Sequence, residues 1–88
     1  MQFQELADKT GLDEQKSFGA SVKAQRSQLG ISQEELAWRA NLHRTYVCDV
    51  ERGARNVSLQ SIHKLARALE ISVSALFAQS ESQNGPRP

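Results

Sequence analysis

The 88-residue sequence has a single cysteine, which cannot form a disulfide within the chain. Disulfide-stapled scaffolds are thereby excluded, and one lone thiol fits a reducing compartment. No apolar run approaches the roughly 18 residues that a membrane-spanning helix needs. No basic-then-apolar leader precedes a cleavage site. We therefore expect no membrane association and no secretion signal.

Clusters of residues that carry chemistry are also scarce. His43, His63 and Cys48 do not have the spacing of metal ligands. The sequence contains neither a glycine-rich phosphate loop nor a pair of catalytic carboxylates. The sequence therefore predicts no metal, no cofactor and no enzymatic activity.

The net charge is +1, but the charges are unevenly distributed. Residues 1–14 carry four acidic residues against one lysine, whereas residues 15–67 carry nine Lys and Arg against four Asp and Glu. The positive charge is thus concentrated in the middle of the chain, where a nucleic acid could be bound.

Apolar residues recur at helical spacing, no strand pattern occurs, and we predict an all-α protein. The length allows one small domain. We assign residues 13–78 to that domain, residues 1–12 to an N-terminal extension that could form a short helix ending at Gly11, and residues 79–88 to a disordered tail. Asp13, Ser58 and Ser72 are the predicted caps of three of its helices.

The segment 32–53, SQEELAWRANLHRTYVCDVERG, reads as two short helices joined by a tight turn. Ser32 and Glu35 form a capping box, and Asn41 can adopt the left-handed conformation that ends the first helix. In the second helix Val47 and Val50 face inward, which leaves a polar face outward. This arrangement is typical of a helix-turn-helix.

The motif GISQEELA at 30–37, together with ERG at 51–53, resembles the lambda-repressor-like family of Cro, cI and Xre-type regulators over residues 15–78. The runs NLHRTYV at 41–47 and ERGARNVSL at 51–59 are similar to the controller proteins of restriction–modification systems. The resemblance implies a five-helix DNA-binding domain. It also implies a homodimer that binds operator DNA and regulates its own operon.

Arg44 is the main candidate for base reading, because side chains in the first turn of a recognition helix reach base edges. It could instead contact phosphate alone. Thr45 could contact a base or a phosphate, and Tyr46 could contact the sugar–phosphate backbone or support the turn. Asp49 could accept from a cytosine or, as we favour, orient Arg44.

Further DNA contacts are implied by the resemblance. Gln33 would bind a phosphate at the helix N-terminus, and Ser32, mainly a cap, could share that phosphate. Arg55 and Asn56 would lie against DNA beyond the recognition helix; alternatively, they belong to a dimer-facing or solvated loop. His43 would cap that helix or contact phosphate when protonated.

Three other residues receive structural interpretations. The family commonly pairs the positions of Arg26 and Glu51, which would hold the recognition helix at its angle. We expect Trp38 to cover the edge of the core, although a contact with the DNA backbone stays open. Cys48 is expected to be a small outward filler.

A dimer would double the DNA site and match a pseudo-palindromic operator. The end of the chain is more apolar than one small core requires, and helix 5 forms the dimer contact in the resembled family. The candidate dimer residues, which could also close the monomer core, are Ile71, Val73, Leu76 and Phe77.

We therefore expect a bacterial, cytoplasmic, nucleoid-associated transcription regulator that binds double-stranded operator DNA and could contact RNA polymerase. One alternative is another Xre-type repressor or an antitoxin. A second, from a different class, is a protein-interaction module without DNA contact. The outward set of Gln33, Arg44 and Arg55 argues against this last alternative.

Overall fold

The computed structural model describes the backbone of residues 2–83 and the side chains of residues 13–81. This part of the chain contains no strand and forms five helices: α1 Gln2–Leu29, α2 Gln33–Ala40, α3 Arg44–Glu51, α4 Leu59–Ala68 and α5 Val73–Gln83. The predicted all-α, five-helix fold is confirmed. None of the helices in the described range is long and apolar enough to cross a bilayer.

The helix ends follow local capping chemistry. Ser32 Oγ accepts a hydrogen bond from the Glu35 amide at 2.9 Å, and Ser58 and Ser72 cap α4 and α5 in the same way. Asn41 ends α2 with φ 58, in the left-handed region. Because Asn tolerates this conformation, α2 ends there and the chain turns directly into α3.

Both ends of the chain differ from the prediction. α1 is one helix of 28 residues that passes through Gly11 and Asp13, where a break was predicted. One interior glycine costs only about 1 kcal/mol, which cooperative helix propagation on both sides offsets. The side chains of residues 1–12 lie outside those that the structure describes.

The fifth helix extends past the predicted end at residue 78. Residues 79–83 are helical, so the disordered tail was predicted five residues too early. Ser80 is buried, and Gln79 Nε2 donates to Gln25 Oε1 of α1 at 3.3 Å. Packing against α1 therefore orders this polar stretch. Residues 84–88 lie outside the described part.

The core is formed by apolar residues from all five helices, and α1 packs against both α3 and α5. Its fully buried large side chains are Val22, Leu36, Val47, Val50, Leu65, Leu69 and Leu76. Gly19 lets α1 approach the end of α3. A Cβ at Gly19 would overlap the carbonyl oxygen of Val50 and lie 2.8 Å from that of Glu51. The position of α3 thus depends on a missing side chain.

Candidate nucleic-acid interface

The third helix presents its first turn to solvent. Val47 and Val50 anchor its inner face, at 0% and 1% exposure. Arg44 and Thr45 are exposed on its outer face. His43 occupies the N-cap position, as predicted, but its side chain makes no capping hydrogen bond. The inner face of α3 is thus packed into the core, while the side chains of its first turn are open to solvent.

An ion pair joins the end of α1 to the end of α3. Arg26 Nε donates to Glu51 Oε2 at 2.7 Å, and Nη2 donates to Oε1 at 3.0 Å. Arg26 Nη1 also donates to the Ile31 carbonyl at 2.9 Å. The two side chains are 14% and 3% exposed. The hydrogen bond to Glu51 raises the pKa of Arg26 above its ordinary value, and the fork fixes both distance and angle.

Gln33 extends this ion pair to α2. Its Nε2 donates to Glu51 Oε1 at 2.9 Å, while its Oε1 accepts from Cys48 Sγ at 3.0 Å. One N–H of the amide stays available for a phosphate. Cys48 is half-buried and hydrogen-bonded to Gln33, so the expectation of an outward filler is corrected. We call Arg26, Glu51, Gln33 and Cys48 the clamp.

The prediction that Asp49 orients Arg44 is wrong, because Asp49 binds two other arginines. Its Oδ1 accepts from Arg52 and its Oδ2 from Arg55, the latter at 3.0 Å. These two hydrogen bonds hold the pKa of Asp49 below its ordinary value. The spacing of Asp49 and Arg52, three residues apart on one helix, was a sequence signal for the first pair. Arg55 enters from the loop, which spacing alone does not reveal.

Tyr46 is half-buried and packs against the core. The guanidinium carbon of Arg55 lies 4.7 Å from the centroid of its ring. Tyr46 therefore supports Arg55. This position is closer to the predicted role of supporting the turn than to the predicted contact with the sugar–phosphate backbone. Asn56, the next loop residue, is exposed.

The predicted DNA-facing residues lie close together. A shallow concavity is lined by Arg26, Ser32, Gln33, Glu34 and Arg44, at the N-termini of α2 and α3. Arg55 and Asn56 lie beyond the other end of α3. Cationic side chains thus lie at both ends of α3: Arg44 lines this concavity, whereas Arg55 lines a separate groove with Phe18 and Phe77.

Trp38 departs furthest from its expected position. Its side chain is 79% exposed, so it does not cover the core edge. It lines a shallow depression with Ser32, Glu34 and Glu35 on the outer side of α2. Glu34 also lines the concavity beside Gln33 and Arg44, so a contact of Trp38 with the DNA backbone stays a prediction.

The predicted dimer residues differ in how deeply they are buried. Leu76 is fully buried, so it belongs to the monomer core and cannot contact a partner. Ile71 and Val73 are half-buried against that core. Phe77 is 40% exposed, with its ring centroid 5.3 Å from that of Phe18.

An apolar groove of about 210 Å³ lies between α1, the α3–α4 loop and α5. Its lining residues are Glu14, Gln15, Phe18, Arg55, Asn56, Val57, Ile62 and Phe77. The groove therefore extends from the half-exposed Phe77 to the loop that carries two candidate DNA contacts. Among the described side chains, no group of three or more His, Cys, Asp or Glu is placed to hold a metal ion.

The helix-turn-helix family model matches residues 22–76. The chain therefore belongs to the helix-turn-helix family, whose members are DNA-binding regulators.

Its relatives narrow that class. Control protein C.SmaI of Serratia marcescens is 38% identical over 78 residues, which cover 89% of this chain and 93% of the relative. Control protein C.BamHI of Bacillus amyloliquefaciens is 51% identical over 55 residues, 61% of this chain and 68% of the relative. This chain is also similar to the restriction–modification controller protein C.Esp1396I, whose structure is a tetramer in complex with its natural 35 base-pair operator. The two share 30% sequence identity and superpose with a TM-score of 0.75, over 81% of this chain and 93% of that one. The predicted resemblance to controller proteins is confirmed.

Proposed function

We propose that this chain binds a pseudo-palindromic operator as a homodimer and controls transcription of the restriction–modification operon that encodes it. The observation that carries the proposal is the first turn of α3. Arg44 and Thr45 are exposed there, on a helix whose opposite side is buried and whose end is held by the clamp. A helix held this rigidly presents its exposed side chains to base edges without first having to be ordered itself.

Phosphate contacts are assigned to the ends of this surface. Gln33 lies at the N-terminus of α2 with one amide N–H to spare, and helix N-termini favour anions. Arg55 and Asn56 extend the surface past the end of α3. Ser32 remains a cap whose hydroxyl could share the phosphate, and His43, exposed at the N-cap, could contact phosphate when protonated.

The homodimer is supported by the exposed aromatic ring of Phe77 at the apolar groove. An exposed apolar surface of this kind is a common protein–protein contact. One copy of α3 reads only a few base pairs, and two-fold pairing doubles the site. The operator-bound tetramer of C.Esp1396I shows that a related controller protein assembles on DNA.

Regulation of the chain's own operon rests on the similarity to control proteins. We further propose a contact with RNA polymerase for activation, and no enzymatic activity. This function would place the protein in the bacterial cytoplasm, on the nucleoid.

A mobility-shift assay tests the proposal. DNA from immediately upstream of the gene is labelled and challenged with excess sheared competitor DNA. The expected result is a shifted band that persists under competition and weakens steeply with salt, because phosphate contacts release counterions. Equal competition by unrelated DNA would contradict sequence-specific binding. An endonuclease gene directly downstream would support the operon assignment.

A further inference from the structure

Arg55 is held at two points in the free protein. Its Nη2 donates to Asp49 Oδ2 at 3.0 Å, and its guanidinium carbon lies 4.7 Å from the centre of the Tyr46 ring. The carboxylate thus fixes one edge of the guanidinium while the ring supports its face. The side chain of Arg55 is still 44% exposed, so it can meet DNA without leaving this position.

Asp49 serves two cations at once. Its second oxygen accepts from Arg52, whose side chain is 69% exposed. Both carboxylate oxygens are therefore already engaged, and the Asp49 side chain is only 21% exposed. A direct hydrogen bond to a cytosine amino group would compete with these existing contacts.

The carboxylate also changes the local charge. Without Asp49, Arg52 and Arg55 would present two uncompensated positive charges beside the recognition helix. Non-specific DNA binding grows with the number of phosphates that cations neutralise. A negative charge here lowers that attraction, and orienting Arg55 favours one geometry of contact.

We propose that Asp49 is a positioning residue that determines specificity without reading a base. It fixes Arg55 on Tyr46 in one geometry of DNA contact and lowers the non-specific attraction of Arg52 and Arg55 for phosphate. This inference deepens the proposed function and rests on it. The structure assigns specificity in part to an acidic residue within a cationic surface.

The first experiment replaces Asp49 with Asn and compares two probes. One is a duplex that the wild-type protein enriches from randomised DNA, and the other is sheared genomic DNA. We expect affinity for genomic DNA to rise about threefold, the salt slope to steepen by about one, and the preference for the enriched duplex to fall about tenfold. An unchanged preference would overturn the proposal.

Glu35→Gln provides a matched control. Glu35 also accepts from an arginine, Arg39 Nε at 2.9 Å, but it lies on the outer side of α2. This variant makes the same charge change, and we expect the preference to stay within about twofold of wild type. An equal loss in both variants would overturn the proposal, because net charge alone would then explain it.

A double-mutant cycle separates positioning from base reading. If Asp49 acts through Arg55, most of the loss of preference caused by Asp49→Asn should disappear in an Arg55→Ala background, leaving only the part that Arg52 contributes. Persistence of the full tenfold loss would overturn the positioning role and favour direct reading by Asp49.

A measurement without DNA tests the positioning role of Asp49 independently of the proposed operator binding. In the free wild-type protein, the ring current of Tyr46 should shift the NMR resonances of the Arg55 side-chain protons, and Asp49→Asn should remove most of that shift. Unchanged resonances would overturn the positioning role. If the wild-type protein enriches no duplex from randomised DNA, the proposed function is wrong, and so is the role of Asp49 in specificity. The NMR resonances would still show whether Asp49 positions Arg55.

Discussion

The α2–α3 surface and the α1–α5 surface are built in opposite ways. At the first, directional hydrogen bonds fix polar side chains: the clamp holds α3, and Asp49 holds Arg55. At the second, Phe18 and Phe77 pack beside an apolar groove. Hydrogen bonds depend strongly on the angle between donor and acceptor, whereas the free energy of apolar contact depends on the area buried and little on orientation.

This difference assigns separate tasks to the two surfaces. The geometry that a base edge meets is set within one protomer, by the clamp. The affinity of a dimer would be set by apolar area around Phe77, outside the clamp. Four variants or conditions test whether stability, assembly and selectivity separate as this division predicts.

The largest effect is expected at the clamp. Glu51→Ala leaves Arg26 without its carboxylate in a largely buried position, and the free energy of unfolding should fall by about 3 kcal/mol. Urea denaturation measures this change. Glu35→Ala, which breaks the more exposed pair with Arg39, should cost about 0.5 kcal/mol. Similar losses in the two variants would mean that the clamp is no stronger than a surface ion pair.

The next effect is expected at the apolar surface. Phe77→Asp places a charge beside Phe18 and should weaken self-association at least tenfold, lowering operator affinity with it. Sedimentation velocity measures the dimer. Gln60→Asp adds the same charge on an exposed position of α4 and should leave the dimer intact. A Phe77→Asp protein that is still dimeric and binds DNA normally would refute the dimer assignment.

A comparable effect, without any change in assembly, is expected at the tip of the recognition helix. Arg44→Ala should lose about 1–3 kcal/mol of operator preference while its stability changes by no more than about 0.5 kcal/mol, because the side chain is exposed. Competition binding and thermal melting measure the two quantities. Arg67→Ala, an exposed arginine on α4, controls for charge. Retained selectivity in Arg44→Ala would remove Arg44 from base reading.

The smallest effect is a pH dependence from Asp49. Hydrogen bonds from Arg52 and Arg55 lower its pKa in the folded state. The stability that these bonds contribute is therefore present above the ordinary carboxyl pKa of about 4 and is lost as pH falls through the lowered value. Wild type and Asp49→Asn should differ in stability at pH 7 and converge in acid. A difference that is the same at pH 7 and pH 2 would contradict this contribution.

Most helix ends follow from local residues and could be predicted, the break expected at Gly11 and Asp13 being the exception. Ser32, Asn41 and Ser58 mark helix ends because a cap depends on neighbouring residues alone. Features that depend on a contact between distant parts of the chain could not be predicted. Residues 79–83 are helical, and Gln79 contacts α1 there. Asp49 turns toward Arg55 because the loop after α3 brings that arginine back.

Exposure was equally difficult to predict. Leu76 and Phe77 are adjacent and apolar, yet one is fully buried and the other 40% exposed. Trp38 is placed on the outside by the rotation of α2, which its own sequence does not fix. Within the clamp, only the pairing of Arg26 with Glu51 was implied by resemblance, whereas the parts that Gln33 and Cys48 take in it were not anticipated.

The contact at Gly19 has a consequence for how such a protein could diversify. Any side chain there would displace the end of α3, so this position is closed to substitution. Arg44 and Thr45 bear none of that constraint, because they are exposed. The residues that determine operator specificity could therefore be substituted one at a time during evolution, with every variant on the way still folded. The tight helix crossing keeps the scaffold unchanged while its target changes.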